Sequence, residues 1–250
     1  MSQFLNIDLG TNQKLEYDIS GDENSECLVF MHGGGVDHKY YDSFVKELSK
    51  TYRVFAFSNP GFGKSTPIKK YTIAHMNQII DSFVEAMKIK DFILVGHSLG
   101  AGFSLGYAAH NKKYNITKLV LISPFIFPIT ENLPKFVLNL AKDGRIEREH
   151  LPVFKSKKTA VKFMYKYVAT AYQSFKLYLF LKTNDLSKYL KDIKVRTLGI
   201  IGLDDIVLSV SLQKKGLEQI DNVKILEYTG SGHDLLFSKK AEILKEIEIL

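Results

Sequence analysis

The chain has 250 residues, which is enough for a single α/β domain with a full hydrophobic core. An apolar content of 45% and a charged content of 24% are ordinary for a soluble globular protein. The one cysteine, Cys27, excludes an internal disulfide framework and suits a reducing compartment. The N-terminus lacks a secretory-signal pattern, and the longest apolar run, near residues 119–129, is too short to span a bilayer. We therefore expect a cytoplasmic protein.

The net charge of +7 is confined to one segment. Residues 125–194 hold 14 Lys and Arg against 6 Asp and Glu, whereas the other 180 residues hold 20 against 21. The positive charge is therefore a property of that segment alone, and its meaning depends on where the segment lies in the fold.

The predicted elements begin with a hairpin, formed by two alternating runs at residues 4–9 and 15–19. Six short apolar runs then predict central strands, at residues 28–31, 54–57, 92–95, 119–122, 198–201 and 223–226. Helical spacing of apolar residues predicts helices between and after them, at residues 40–49, 72–87, 99–110, 209–220 and 235–250. This alternation predicts a mostly parallel sheet with helices on both faces. Such sheets bind ligands at the carboxyl ends of their strands.

One interval departs from the alternation. Residues 123–197 contain no convincing strand, but helical patterns occur near residues 133–142 and 159–181. Because a structureless loop of that length would be improbable in a compact domain, the interval is predicted to be a helical insertion.

The most specific signal is the Gly-x-Ser-x-Gly motif centred on Ser98, which joins a predicted strand to a predicted helix. A sharp, strained turn there would expose the serine hydroxyl. Side chains at Gly96 and Gly100 are expected to collide across that turn. The helix that begins at Leu99 would direct N–H groups toward negative charge developing beside Ser98.

A nucleophilic serine needs a base, and His233 is the best candidate. It follows the last strand in a glycine-rich loop, whereas the other histidines have structural or surface positions available. The third group, which orients the histidine, is expected from the pair Asp204 and Asp205, at the carboxyl end of the preceding strand. The alternative for that pair is an aspartate-rich surface turn.

Glycines follow the first central strand, in the run His32-Gly33-Gly34-Gly35. Such a run can expose N–H groups toward a tetrahedral oxyanion, and each donor can contribute about 2.7–4 kcal/mol to lowering the barrier. The expected donors are the N–H groups of Gly34 and Leu99.

In these motifs the chain resembles the α/β-hydrolase superfamily over essentially its full length. The order of serine, acid and histidine matches the family order. The loop at residues 59–65 looks like the family's Pro-Gly-x-Gly-x-Ser turn, with Ser58 where the family usually has aspartate. The family's Gly-x-x-Asp-x-x-Val pattern implies that Asp205 is the acid and Asp204 the alternative.

The resemblance implies the α/β-hydrolase fold, with residues 1–124 and 195–250 as the core and residues 125–194 as a helical cap. The cap is expected either to present lysines to solvent over an apolar packing surface or to line a substrate pocket. In the second case aromatic residues would form the pocket wall and lysines would attract an anionic substrate or a membrane surface. The candidate pocket residues are Phe127, Phe136, Tyr165 and Tyr172. Nucleic-acid binding is poorly supported, since no recognised module accompanies the charge.

The resemblance implies a serine hydrolase that cleaves small-molecule esters or related acyl compounds through an acyl-enzyme, without a metal or organic cofactor. One alternative is a carbon–carbon bond hydrolase of dienoic keto acids. The other is a ligand-binding or slow protein that keeps the fold and the triad. The oligomeric state and the acyl-chain length are not predicted.

Overall fold

A computed structural model of the chain describes residues 3–8, 12–146, 161 and 170–250. Eight strands of the described residues form one sheet. In chain order they are β1 (Gln3–Asp8), β2 (Asn12–Ser20), β3 (Cys27–Met31), β4 (Arg53–Phe57), β5 (Asp91–His97), β6 (Asn115–Ile122), β7 (Thr197–Gly202) and β8 (Val223–Tyr228). All six predicted central strands and the opening hairpin are present.

The strand order across the sheet is β1-β2-β4-β3-β5-β6-β7-β8. β1 and β2 are antiparallel to each other, and β2 is antiparallel to β4. Every pairing from β4 to β8 is parallel. The carboxyl ends of β3, β5, β6, β7 and β8 therefore lie along one edge of the sheet, which is where the candidate residues were predicted.

The helices of the described residues lie between and after the strands. They are α1 (Asp42–Leu48), α2 (Ile73–Ala86), α3 (Leu99–His110), α4 (Leu133–Ile146), α5 (Ala171–Thr183), α6 (Val210–Leu217), α7 (Leu235–Ser238) and α8 (Lys240–Ile249). Two 3-10 helices, His38–Tyr41 and Ser187–Asp192, supplement them. The prediction of one continuous helix over residues 235–250 was wrong, because Lys239 leaves helical geometry at φ −108° and ψ 26° and separates α7 from α8.

The core consists of two apolar layers, one on each face of the sheet. Alternate side chains of a strand enter opposite layers, so that Phe92 and Leu94 of β5 face one layer while Ile93 and Val95 face the other. The first layer also contains buried residues of α2, α3 and α5, and the second contains those of α1, α7 and α8. Burial on both faces explains why the central strands have continuous apolar sequences.

α4 and α5 belong to the interval that was predicted to be a helical insertion. α4 covers the predicted residues 133–142 and continues to residue 146. α5 covers the end of the second predicted stretch, of which residues 159–160 and 162–169 lie outside the described residues. Phe180 of α5 packs against Phe103 of α3, with ring centroids 5.4 Å apart, so this helix contacts the core.

Candidate active site

Ser98 lies in the turn between β5 and α3 with φ 55° and ψ −118°, a strained conformation for a residue with a side chain. Its N–H donates to the carbonyl of Ile122, 2.8 Å away, at the end of β6. A methyl group on Gly96 would lie 2.6 Å from the Ala101 nitrogen, across the turn, as predicted. A methyl group on Gly100 would instead lie 2.3 Å from the Met31 carbonyl oxygen. Gly100 is thus required by the approach of α3 to β3, not by the turn itself.

Three side chains from three loops form one chain of hydrogen bonds. When His233 is neutral, the hydroxyl of Ser98 donates to its Nε2 over 2.7 Å. The Nδ1–H of His233 donates to Oδ2 of Asp205 over 2.8 Å. The side chains of His233 and Asp205 are almost completely buried. This arrangement can remove the proton of the serine and hold it on an imidazole whose orientation is fixed by the carboxylate.

Four donors among the described residues hold Asp205. Its Oδ1 accepts the N–H groups of Val207 and Leu208 at 2.8 and 2.9 Å. Its Oδ2 accepts Nε2–H of Gln213 at 2.9 Å, in addition to His233. Burial opposes the charge of Asp205, but His233 and these donors keep its pKa below the usual value. The other predicted acid, Asp204, is exposed, so the structure brings only Asp205 to the histidine.

His233 is surrounded by acidic groups. Burial by itself would lower its pKa, but Asp205, Asp143 and Asp234 together raise the pKa to about 9. Such a histidine binds a proton tightly once it has received one, a property that suits a group which must become positively charged during catalysis.

The loop after β3 lies beside Ser98, since a methyl group on Gly33 would be 3.4 Å from the Cβ of that serine. Nδ1–H of His32 donates to the Gly33 carbonyl at 2.7 Å, and its Nε2 accepts the N–H of Asn59 at 2.7 Å. Because the C=O and N–H of one peptide point in opposite directions, the N–H of Gly34 points away from His32. Burial lowers the pKa of His32 to about 4, which keeps the ring neutral with this pattern of donor and acceptor.

Gly34 is exposed and lies next to the start of α3. A methyl group built on it would be 3.6 Å from Leu99 and 3.7 Å from Leu177, a residue of α5. Leu99 is the first residue of α3, so its N–H has no carbonyl in a preceding helical turn. The structure therefore places Gly34 and Leu99 close together beside the turn that carries Ser98, and their role as oxyanion donors stays a prediction.

A second set of hydrogen bonds connects these loops. Tyr41 accepts the N–H of Gly33 at 3.1 Å and donates its hydroxyl to Nδ1 of His97 at 2.8 Å. Nε2–H of His97 donates to the carbonyl oxygen of His233 at 2.9 Å. Burial and the nearby His233 lower the pKa of His97 to about 3, so the ring is neutral and the direction of each bond is fixed.

Comparison with known proteins identifies the family of the fold. A family profile described as the alpha/beta hydrolase fold matches residues 26–150. The chain belongs to this family. The AB hydrolase superfamily protein YisY of Bacillus subtilis is 24% identical over 236 residues, which cover 86% of this chain and 88% of YisY.

Two solved structures illustrate the family fold. An esterase from Exiguobacterium antarcticum superimposes with a TM-score of 0.79 at 18% identity, covering 99% of this chain and 98% of the esterase. A meta-cleavage product hydrolase from Pseudomonas fluorescens has a TM-score of 0.78 at 18% identity, covering 94% of this chain and 93% of that one. At these identities the likeness shows that this α/β hydrolase shares their fold.

The predicted pocket residues of this α/β hydrolase have different surroundings. Phe127 lines a cavity of about 130 Å³ that also borders Asp205 and Gln213. Phe136 is buried against Tyr178, with ring centroids 5.9 Å apart, and forms packing between α4 and α5. Tyr172 is 69% exposed beneath the ammonium of Lys176, so it does not line a pocket. Tyr165 lies outside the described residues.

Several residues that contact the site were not predicted. Gln213 and Tyr41 contact it through the bonds above, and Asp143 of α4 accepts the N–H of His233 at 2.8 Å. The sequence signal for a close neighbour of this loop was the glycine before His233. A methyl group on Gly232 would lie 2.3 Å from Oδ1 of Asp143. In the part of this α/β hydrolase that the structure describes, no helix has both the length and the apolarity needed to cross a bilayer.

Proposed function

We propose that the protein is a serine hydrolase that cleaves carboxylic esters of small or medium apolar acids. The observation that carries the proposal is the hydrogen-bond chain from Ser98 through His233 to Asp205. The resemblance to esterases and lipases in fold is consistent with this activity.

In the proposed reaction, the oxygen of Ser98 attacks the ester carbonyl while His233 takes the hydroxyl proton at Nε2. Asp205 stabilises the resulting imidazolium through Nδ1. The N–H groups of Gly34 and Leu99 hold the oxyanion of the tetrahedral intermediate. When the intermediate collapses, His233 gives its proton to the departing alcohol and an acyl-serine remains. A water that His233 deprotonates then attacks the acyl carbonyl, and the acid leaves as Ser98 regains its proton.

The side chains next to the oxyanion loop support an apolar acyl group. Leu99 and Leu177 lie within contact distance of the position beside Gly34, and they supply hydrocarbon rather than charge. We assign residues 125–194 to a cap over this region, since Leu177 of α5 reaches it. Binding of an acyl chain there would remove apolar surface from water, which stabilises the complex by about 25 cal/mol for each Å² buried.

The test is hydrolysis of p-nitrophenyl esters of increasing acyl length by the native protein and by Ser98→Ala. The matched control is Ser104→Ala, which removes a serine hydroxyl buried in α3 for which the described residues offer no hydrogen-bond partner. We expect Ser98→Ala to lose at least about 10³-fold in kcat while Ser104→Ala retains native rates. A fluorophosphonate should label Ser98 in the native protein, as read by mass spectrometry of the peptide.

Equal rates in the native protein and Ser98→Ala would refute the assignment of Ser98. Cleavage of dienoic keto acids with no turnover of any ester would refute ester hydrolysis and establish the carbon–carbon alternative. Tight retention of a ligand with no turnover of either class would establish a binding protein.

A further inference from the structure

Asp143 is a buried carboxylate that the proposed reaction does not use. It lies in α4, far in sequence from the triad, and is only 2% exposed. Its Oδ1 accepts the N–H of His233 at 2.8 Å, and its Oδ2 accepts the N–H of Asp234 at 3.3 Å. Both carboxylate oxygens are therefore directed at the backbone of the loop that carries the histidine.

The loop is shaped to admit this carboxylate. A methyl group on Gly232 would lie 2.3 Å from Oδ1 and 3.1 Å from Cγ of Asp143. Any side chain at that position would push α4 away from the loop or displace the loop itself. The close approach of Asp143 thus depends on a residue without a side chain directly before His233.

The charge of Asp143 also acts on the histidine. Burial is the largest effect and leaves the pKa of Asp143 above its usual value, although the nearby His233 and the two N–H donors favour its ionised form. In the part of the chain that the structure describes, the groups that face His233 are the carboxylates of Asp205, Asp143 and Asp234 and the neutral ring of His97. An ion that is withdrawn from water is costly unless it is paired, and the imidazolium of His233 is a positive charge that forms beside Asp143.

We infer that Asp143 is a positioning residue that α4 contributes to the site, holding the backbone of His233 and stabilising its protonated form. The inference rests on the proposed function, since it assigns Asp143 to the base of that reaction. The correct position of the base would then depend on the packing of α4 against the core. Displacement of α4 would release the two N–H groups and remove a negative charge from beside the imidazole.

Two variants separate the backbone contact from the charge. Asp143→Asn keeps the size and one acceptor oxygen for the N–H of His233, but removes the charge. Asp143→Ala removes both. The control is Asp185→Asn, which removes a charge from an exposed residue of the same insertion whose bonds to Ser187 an amide oxygen can still accept.

The first measurement is the NMR titration of the His233 ring, assigned from the spectrum of His233→Gln, with thermal unfolding as the check on folding. We expect the midpoint of His233 to move to lower pH by about one pH unit in each Asp143 variant, and to stay at the native value in Asp185→Asn. Either Asp143 variant that folds is sufficient, because both remove the charge. Coincident titrations in a folded Asp143 variant and the native protein would overturn the inference.

The second measurement is kcat at a pH above the His233 midpoint, where the base is neutral in every variant. We expect a loss of about tenfold in Asp143→Asn and a larger loss in Asp143→Ala, with KM little changed. Native kcat in Asp143→Ala would also overturn the inference. Because the titration needs no substrate, absence of esterase activity would refute the proposed function while leaving the role of Asp143 decidable.

Discussion

The ring of His97 donates a hydrogen bond from Nε2 to the backbone carbonyl of His233, over 2.9 Å. The residue that precedes Ser98 therefore holds the loop of the proposed base. The hydroxyl of Ser123 donates to the same carbonyl at 2.9 Å, from the end of β6. With Asp143 on the N–H of the same residue, both backbone polar groups of His233 are bound. Three side chains therefore fix the backbone that carries the imidazole, as the preorganisation of a base requires.

Activity is predicted to rise through the alkaline range. The proposed base works only when His233 is neutral, and the carboxylates around it, with Asp205 foremost, overcome burial and raise its pKa to about 9. Below that pH most of the free enzyme carries a proton on His233, so kcat/KM should increase about tenfold for each pH unit between 7 and 8.5. The measurement is the pH profile of kcat/KM, with rates of Ser98→Ala subtracted for spontaneous hydrolysis.

The same argument gives the effect of Asp205→Asn. Loss of the principal carboxylate should move the rising limb to lower pH, because the imidazolium is less stabilised. The plateau should fall by about 10,000-fold, since the ring loses the partner that fixes its tautomer. A native profile that is flat from pH 6 to 9 would contradict the assignment of His233 as the titrating base.

Gln213 is predicted to support the acid. Its Nε2 donates to Asp205 at 2.9 Å and to the carbonyl of Leu208 at 3.1 Å, and the residue is buried. Gln213→Leu should reduce kcat by about tenfold and stability by about 1.5–3 kcal/mol, because a carboxylate loses a buried donor. The control is Gln219→Leu, which removes an exposed bond to the carbonyl of Lys215. Equal kcat values in the two variants would show that Asp205 does not depend on Gln213.

The fold was predictable because its signals are local. Each central strand is an apolar run between loop residues, and burial on both faces of the sheet makes those runs continuous. The break at Lys239 was not predictable, since the apolar spacing of residues 235–250 continues across it. The start of α2, in contrast, has a local signal, because the hydroxyl of Thr72 accepts the N–H of His75 at 3.1 Å.

The candidate site was predictable only where a motif accompanies the residue. Ser98 and His233 lie in glycine-rich turns after strands, whereas Asp143 and Tyr41 have no such context. They reach the site through packing between distant segments, which sequence spacing does not encode. Tyr172 was predicted to line a pocket but is exposed, since helical spacing does not tell which face of α5 points inward. Leu177, five residues later and so about 140° around the helix, is the residue that approaches Gly34.

Tyr41 is predicted to fix the position of the loop at Gly33 relative to the turn that carries Ser98. Its hydroxyl is bonded to the N–H of Gly33 and to Nδ1 of His97. Tyr41→Phe leaves both groups buried without this partner, so we expect stability to fall by about 1–3 kcal/mol and kcat by about tenfold. The measurements are urea denaturation and ester hydrolysis.

The matched control for Tyr41 is Tyr107→Phe. Tyr107 is also buried, but its hydroxyl donates to Asp81 between α3 and α2, away from the proposed triad. We expect a comparable loss of stability with native kcat. A Tyr41→Phe enzyme with native kcat would mean that the loops keep their positions without this bond.

Gly100 and Gly34 are predicted to respond oppositely to substitution by alanine. A methyl group on Gly100 would meet the carbonyl oxygens of Met31 and His32 at 2.3 and 2.5 Å, and backbone atoms cannot rotate away. Gly100→Ala should therefore cost at least about 3 kcal/mol of stability, measured by urea denaturation. A methyl group on Gly34 has 3.6 Å of clearance, so Gly34→Ala should stay within about 1 kcal/mol of the native protein and keep the N–H donor. A stable, active Gly100→Ala protein would show that α3 can move away from β3 without loss of the Ser98 turn.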